Sequence, residues 1–403
     1  MKNRSGLHQY ILLFLVFGLA ASAVSAQDVF YWENPVLFSP GPARFPVSAT
    51  NGNLSVLLWQ ESHAETISLS LAVKTPDQGW NVRRNIAGPY PYSGSEPAIA
   101  SVVVDSRDWI LIAVGLPSNE TEILISYDQG TTFTATKLKG DINSTISPRI
   151  VTRADGGYYL FVTRGQEQSL SIFYSRSHDG KTWTDFVPFV TDTRLKLTFL
   201  PSHTTLRSTD YVVFQALTGD VRPTFQLFLT TSSDGGLTWT QPRQVTSFLD
   251  PYVTTRREPE YFDNQRPFIN GYGNSLFLVW ERRPSNGNPQ VYGMELKSDG
   301  QIRGEPEQIS PRGVYANYPV AIPVKGRWTV FWFDNRRGQN RVYMAQKKGV
   351  DWEDVDLSTS SGEATFARPI LDPSGLYVFW QTQRASQSRL VLLAPDTTVA
   401  KPP

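Results

Sequence analysis

The chain has no cysteine. That excludes a disulfide framework, a thiolate nucleophile and any zinc site built on sulfur, so the fold must be held by apolar burial and backbone pairing. Histidine is nearly missing as well, with four in 403 residues. His8, His63, His178 and His203 include no two at ligand spacing, and no metal site is expected. Charge of one sign is not in excess: the formal net charge is +1. Whole-chain electrostatics therefore give no reason to expect nucleic acid or an anionic membrane as partner. No G-x-S-x-G, phosphate loop or dinucleotide fingerprint occurs, and no cofactor is expected. Long amphipathic helical patterns are absent too, which points away from helical architectures.

One long apolar run does occur, at the N-terminus. Lys2 and Arg4 precede "YILLFLVFGLAASAV" (10–24), and Val24 and Ala26 supply the small residues that signal peptidase needs. Residues 1–26 are thus expected to be a signal peptide, shorter in its apolar core than the ~20 residues of a spanning helix. With no cysteine after it, lipoprotein anchoring is excluded. The expected location is secreted or periplasmic, in the cell envelope, with no membrane span after cleavage.

What the chain has in quantity is aromatics and turn formers: 11 Trp, 17 Tyr, 22 Phe, 29 Gly and 28 Pro. This composition favours strands and tight turns. A segment around a proline recurs: "RFPVSA", "SEPAIA", "ISPRIV", "FLPSHT", "QRPFIN", "NYPVAI" and "ARPILD". Its prolines are Pro46, Pro97, Pro148, Pro201, Pro267, Pro319 and Pro369, spaced 51, 51, 53, 66, 52 and 50 residues apart. Thirteen residues after the first six come Trp59, Ile110, Phe161, Phe214, Trp280 and Trp332; in the seventh copy Trp380 follows at eleven. Each closes a short apolar run such as "LSVLLW" or "WTVFW", which reads as a buried strand.

Repeats of ~50 residues with four short strands each are propeller blades. The sequence therefore predicts an all-β, seven-bladed propeller over residues 27–396, with blades starting near 43, 95, 146, 198, 264, 316 and 366 and a tail at 397–403. The last copy lacks a fourth strand, and "VFYWENPVLF" (29–38) is expected to supply it. A monomer is expected of a ring that leaves no sheet edge open.

A second phrase recurs before the fourth strands. Ser232, Asp234, Gly236 and Trp239 fit S-x-D-x-G-x-x-W completely; Ser126, Asp128, Gly130 and Phe133 fit with Phe for Trp; Ser177, Asp179, Gly180 and Trp183 fit with one residue deleted. Asp77, Gly79 and Trp80, and Ser298, Asp299 and Gly300, are degenerate versions. Ser and Asp oxygens accept turn N–H groups, Gly permits the positive φ, and the aromatic is expected to pack into the blade. The repeated Asp is thus structural.

This phrase resembles the Asp-box, or BNR repeat, of sialidases and related propellers. Arg44-Phe45-Pro46 is similar to the Arg-Ile-Pro motif that opens the sialidase catalytic domain. The resemblance implies that Arg44 belongs to a substrate-carboxylate clamp, with Arg266 and Arg368 as further members. It also implies Tyr318 as nucleophile and Glu258 or Glu260 as its activating base. The family's ring has six blades, which stands as the alternative to seven. Its acid/base aspartate would fall in a loop that here offers Glu61, His63 and Glu65.

Independently of that resemblance, two regions of one face read as contact surface. An insertion at 246–264 contains Arg256, Arg257, Glu258, Glu260 and Tyr261. The loops after the second strands of copies five to seven contain Arg282, Arg283, Arg336, Arg337, Arg341, Arg384 and Arg389, against Glu281 and Asp334. Guanidinium forks suit carboxylate and sulfate. Three functions follow: recognition of an acidic carbohydrate or envelope protein, sialidase-like glycoside hydrolysis, or an envelope assembly scaffold.

Overall fold

Seven clusters of alternating apolar runs become seven four-stranded antiparallel sheets. The computed structural model describes residues 30–63, 65–91, 100–116, 118, 120–139, 146–165, 170–218, 223–247, 261–285, 287–359, 362–384 and 387–397, the side chains of 146 and 384 excepted. Glu258, Glu260, residues 1–29 and most of the 246–264 insertion lie outside these residues. Among the described residues there is no helix, and hence none long and apolar enough to cross a membrane.

Blade 1 comprises Arg44–Thr50, Ser55–His63, Thr66–Lys74 and Asn81–Pro91, and blade 2 Ala100–Val104, Ile110–Gly115, Glu120–Ser126 and Thr134–Lys139. Blade 3 comprises Ile146–Thr152, Tyr158–Arg164, Ser171–Ser177 and Val187–Pro188, and blade 4 Lys196–Leu206, Thr209–Thr218, Thr224–Ser232 and Arg243–Gln244. Blade 5 is Phe262–Tyr272, Ser275–Pro284, Gln290–Lys297 and Ile302–Gln308; blade 6 is Ala316–Val324, Arg327–Asp334, Arg341–Lys348 and Asp351–Asp356. Blade 7 holds Ala364–Asp372, Gly375–Arg384 and Gln387–Leu393, and its fourth strand is Val36–Leu37, paired Val36 to Leu392 and Leu37 to Val391. The N-terminal strand thus completes the last blade. First strands of successive blades touch all the way round, blade 7 to blade 1 included, so they line the central channel. The fourth strands of blades 3 and 4 are shorter than expected. Pro188 ends one and Pro242 precedes the other, and proline has no N–H for a ladder.

The recurrent proline marks a β-bulge. In blades 1, 3, 4, 5 and 6 the ladder skips Phe45-Pro46, Ser147-Pro148, Leu200-Pro201, Arg266-Pro267 and Tyr318-Pro319. In each, the residue before proline has a φ between +50° and +52°. Blade 7 skips Phe366-Ala367, with φ +55° at Phe366. The seventh copy is therefore in register at Ala367, not Pro369. Trp380 then stands thirteen residues on, as the landmark does elsewhere.

The bulge turns an N–H away from its own ladder, and a buried donor needs a partner. The preceding blade supplies one. Phe45 N–H donates to Gln381 Oε1 at 2.9 Å, Arg266 N–H to Gln215 Oε1 at 2.8 Å, and Tyr318 N–H to Glu281 Oε1 at 2.9 Å. All three acceptors stand fourteen residues after their own blade's bulge proline or Ala367. One residue earlier, Trp59, Trp280, Trp332 and Trp380 are buried between blades. Trp59 donates to Glu61 and Trp332 to Asp334, so these carboxylates anchor core indoles.

The S-x-D hairpins fasten neighbouring blades. Ser126, Ser177 and Ser232 hydroxyls accept the N–H of Gly130, Gly180 and Gly236 at 2.7–2.8 Å. A Cβ on these glycines would meet Leu71 at 2.8 Å, Leu111 at 2.7 Å and the Tyr159 ring at 2.5 Å, each on the preceding blade. The aromatics follow the same rule. Trp239 of blade 4 packs on Tyr159, Tyr174 and Phe189 of the blade 3 repeat at 5.5, 6.2 and 5.0 Å. Trp80 of blade 1 packs on Tyr377 and Phe379 of blade 7. The sequence reading, in which the aromatic secures its own blade, is corrected to this inter-blade role.

Two predictions follow from the hairpins. Trp239→Ala should cost about 3 kcal/mol in urea unfolding, because it empties an inter-blade contact; a cost below ~1 kcal/mol would contradict the packing role. Backbone and side-chain hydrogen bonds hold Asp128, Asp179 and Asp234 down at about 2. Their folded values lie below the unfolded ones, so their contribution is complete above the ordinary carboxylate range and is lost as pH falls towards 2. The thermal advantage of wild type over an Asp128→Asn, Asp179→Asn, Asp234→Asn triple variant should shrink over that window and not at neutral pH.

Candidate functional site at the channel mouth

In the six blades with a described bulge, it falls within the first five residues of the inner strand, so these bulge residues lie towards the face where the inner strands begin. Four of them form a continuous chain. Phe45 meets Phe366 edge-on at 5.4 Å, Phe366 meets Tyr318 at 4.9 Å, and the Arg266 guanidinium lies 4.8 Å from the Tyr318 ring centre. Tyr318 also stacks on Phe333 at 5.7 Å. Adjacent blades 1, 7, 6 and 5 thus contribute one residue each. All four hold positive φ, a conformation that costs non-glycine residues ~1–3 kcal/mol and persists only where surroundings enforce it.

Glu281 is the node beneath this sector. It is fully buried, and its Oε2 accepts from Arg266 at 2.8 Å and from Arg283 at 2.7 Å, while Oε1 takes the Tyr318 N–H. Burial pulls the Arg266 guanidinium down, but the Glu281 carboxylate outweighs it and holds the group above its ordinary value. Glu281 therefore positions Arg266 and the Tyr318 backbone together.

Directly after the bulge of blade 7, Arg368 rejoins the inner strand opposite Phe379. Its Nε donates to the Pro46 carbonyl at 2.7 Å and its Nη1 to the Ala367 carbonyl at 2.9 Å. Burial, then the charge of Arg149, push it down to about 10, and the Tyr318 phenol acts in the opposite direction. Arg149 is the residue that the sequence reading missed. With the seventh copy aligned on Ala367, Arg149 and Arg368 occupy the same place, directly after the bulge, in blades 3 and 7. That register was the available signal. Arg149 is exposed, and the protein crowded about it lowers its affinity for the proton.

Of the residues carried over from the sialidase resemblance, Tyr318, Arg266 and Arg368 come together here. Arg44 opens the inner strand of blade 1, opposite Gln60, and its side chain forms no hydrogen bond or ion pair among the described residues. Glu61 is buried and held by Arg84 at 2.6 Å, a structural arrangement. Tyr261 begins blade 5, its carbonyl accepting the Ser285 N–H.

The arginine loops carry less uncompensated charge than their sequence suggests. Arg283 is tied to Glu281; Arg336 bridges Asp334 at 2.7 Å and Asp354 at 2.6 Å; Arg337 approaches Asp356 at 3.6 Å. Arg341 donates to the Ser358 carbonyl, Arg282 lies over Tyr292, and Arg389 donates to Gln387. The compensating Asp354 and Asp356 come from the outer strand of blade 6, which a count within the loops omits. Arg384 has no described side chain.

A groove of about 510 Å³ lies elsewhere, between blades 1 and 2. Of its polar lining, Tyr90 and Glu122 are joined by a hydrogen bond, burial pushes the Tyr90 phenol far up, and Lys137 is paired with Glu120 at 3.8 Å. It offers no free charge. Among the described residues no group of three or more His, Cys, Asp or Glu is arranged to hold a metal.

Glu281→Ala should destabilise the fold by about 3 kcal/mol, because it leaves two arginines without their carboxylate and one N–H without its acceptor. Gln381→Ala removes only a neutral hydrogen bond and should cost about 1 kcal/mol. Equal losses for the two in chemical denaturation would show that Glu281 is no more than another acceptor.

No protein-family model matches the chain, and no curated protein matches it in sequence. Solved structures do match. Polysaccharide lyase Uly1 is similar at TM-score 0.59 and 10% identity, over 91% of this chain and 99% of that one. An ulvan lyase bound to -[GlcA(1-4)Rha3S]- is similar at TM-score 0.56 and 11% identity, over 89% and 95%. An α-L-arabinofuranosidase from Fusarium graminearum is similar at TM-score 0.50 and 11% identity, over 92% and 99%. At such identities the likeness is one of fold, shared with carbohydrate-active proteins.

Proposed function

We propose that this protein is an exported propeller that recognises an acidic polysaccharide at the mouth of its channel. The observation that carries this reading is the sector where Arg266, Tyr318 and Arg368 meet with Glu281 as its described carboxylate. Glu281 is already shared between Arg266 and Arg283. Among the described residues the sector has cations in surplus and a phenol among them, which offer donors to carboxylate and sulfate groups. The shared fold with a lyase bound to -[GlcA(1-4)Rha3S]- supports the choice of ligand class.

Affinity electrophoresis in gels cast with a polyuronate, a sulfated galactan or neutral dextran tests it. Retardation is expected with the first two only, weakening as salt rises. Arg266→Ala should weaken binding about tenfold, the loss of roughly one charged hydrogen bond. Equal migration in all three gels would sink the reading. Shortening of the polysaccharide during the run, lost in Tyr318→Phe, would convert recognition into catalysis.

A further inference from the structure

We propose that a groove between blades 4 and 5, on the face that carries the S-x-D hairpins, is a binding site for a neutral sugar residue. It lies away from the channel mouth and stands independently of the acidic-polysaccharide reading.

Blade 5 is where the hairpin phrase loses its aromatic. Three residues after the hairpin glycine stand Phe133, Trp183 and Trp239 in blades 2, 3 and 4, but Arg303 in blade 5. Arg303 is exposed and approaches Glu295 at 3.6 Å. In blade 3 the Trp183 indole N–H donates to the Gly180 carbonyl; in blade 5 the Gly300 carbonyl accepts from Arg243 of blade 4 instead. Tyr211 is the blade 4 counterpart of Tyr159, since each pairs with the residue before its own blade's hairpin serine. Trp239 packs on Tyr159 at 5.5 Å, whereas no ring of the described residues packs on Tyr211. The Tyr211 phenol donates to the Ser298 carbonyl of the blade 5 hairpin.

Beside this hairpin lies a groove of about 380 Å³, within the ~300–1,000 Å³ range of small-molecule sites. Tyr211, Trp239, Thr231, Ser233, Ser298 and Asp299 line it. The two rings offer apolar surface, and the hydroxyls can donate and accept. Ser233 and Ser298 have no side-chain hydrogen bond among the described residues. Asp299 spends Oδ1 on the Gln301 N–H at 2.8 Å, and its Oδ2 accepts nothing among the described residues. No Lys or Arg is among the described lining residues. That composition selects a ligand class. A carboxylate or sulfate would meet Asp299 and no opposite charge. A purely apolar ligand would strand the hydroxyls and the carboxylate away from water. A neutral sugar brings hydroxyls for Ser, Thr and Asp, and a C–H face for the rings.

The probes are D-galactose, D-glucose, D-xylose and L-arabinose, with sodium glucuronate as the acidic control. Saturation-transfer NMR is run on the full chain, as wild type, Ser233→Trp and Asp299→Asn, with thermal melts to show that each variant folds. Ser233 is exposed, so an indole there fills the groove without entering a blade core. At least one neutral sugar should receive saturation at its ring C–H protons from wild type, and none from Ser233→Trp. Asp299→Asn keeps an acceptor for the Gln301 N–H but loses the charge. It should weaken that sugar about fivefold in a titration, the difference between a charged and a neutral hydrogen bond.

Equal saturation of a neutral sugar by wild type and Ser233→Trp would overturn the groove, and so would saturation confined to glucuronate or absent altogether. Should Ser233→Trp fail to fold, an unchanged affinity in Asp299→Asn would overturn it and a weakened one uphold it. The polyuronate gels, run on the same proteins, keep the two sites apart. Neutral-sugar binding lost with the groove upholds it even if no polyuronate is retained. Polyuronate retention without neutral-sugar binding removes the groove and leaves the mouth.

Discussion

An inner strand that bulges near its start must dispose of an N–H that its own hairpin no longer uses. At three blade junctions, a side chain from the preceding blade receives it: Gln381 for Phe45, Gln215 for Arg266, Glu281 for Tyr318. This bond joins two requirements. It satisfies a donor that burial would otherwise penalise, and it fixes the backbone from which the mouth side chains project. Because the acceptor belongs to another blade, the position of Tyr318 is set by blade 5 as much as by blade 6. Rigid presentation of polar groups depends on that kind of support.

The two faces divide the labour. On the hairpin face, polar contacts bind each blade to the next: Asn51 to Asp105 and Asp108, Tyr158 to Asp105, Tyr159 to Asp210, and Lys74 to Asp372 across the join between first and last blades. The glycine hairpins and their aromatics reinforce those junctions. The opposite face carries the inner-strand bulges and the arginine loops.

Fold and site were unequally legible. Periodicity of the proline and of the large apolar landmark revealed seven blades, because the bulge and the inter-blade core recur from copy to copy. Closure by the N-terminal segment was legible as a missing fourth strand. The direction of Trp239 was not, since a sequence pattern shows that a residue is buried and not against which neighbour. Tyr318, Arg266 and Arg368 were found by position along the strand. Arg149 was hidden by a two-residue slip in the seventh copy, where Ala367 replaces the proline and a nearby Pro369 imitates it. The charge balance of the arginine loops escaped because Asp354 and Asp356 arrive from an outer strand, far from the loop in sequence and close in space.

Velcro between the two ends of the chain sets an order on assembly. A ribosome delivers Val36 and Leu37 among the first residues of the ring and their partners Leu392 and Val391 among the last. Hairpins within a blade, and one blade against the next, form from chain already at hand. The circle itself waits for the final segment, so the slowest contact is the one of greatest sequence separation. Until then the growing protein is an open arc with an unfinished edge at each end.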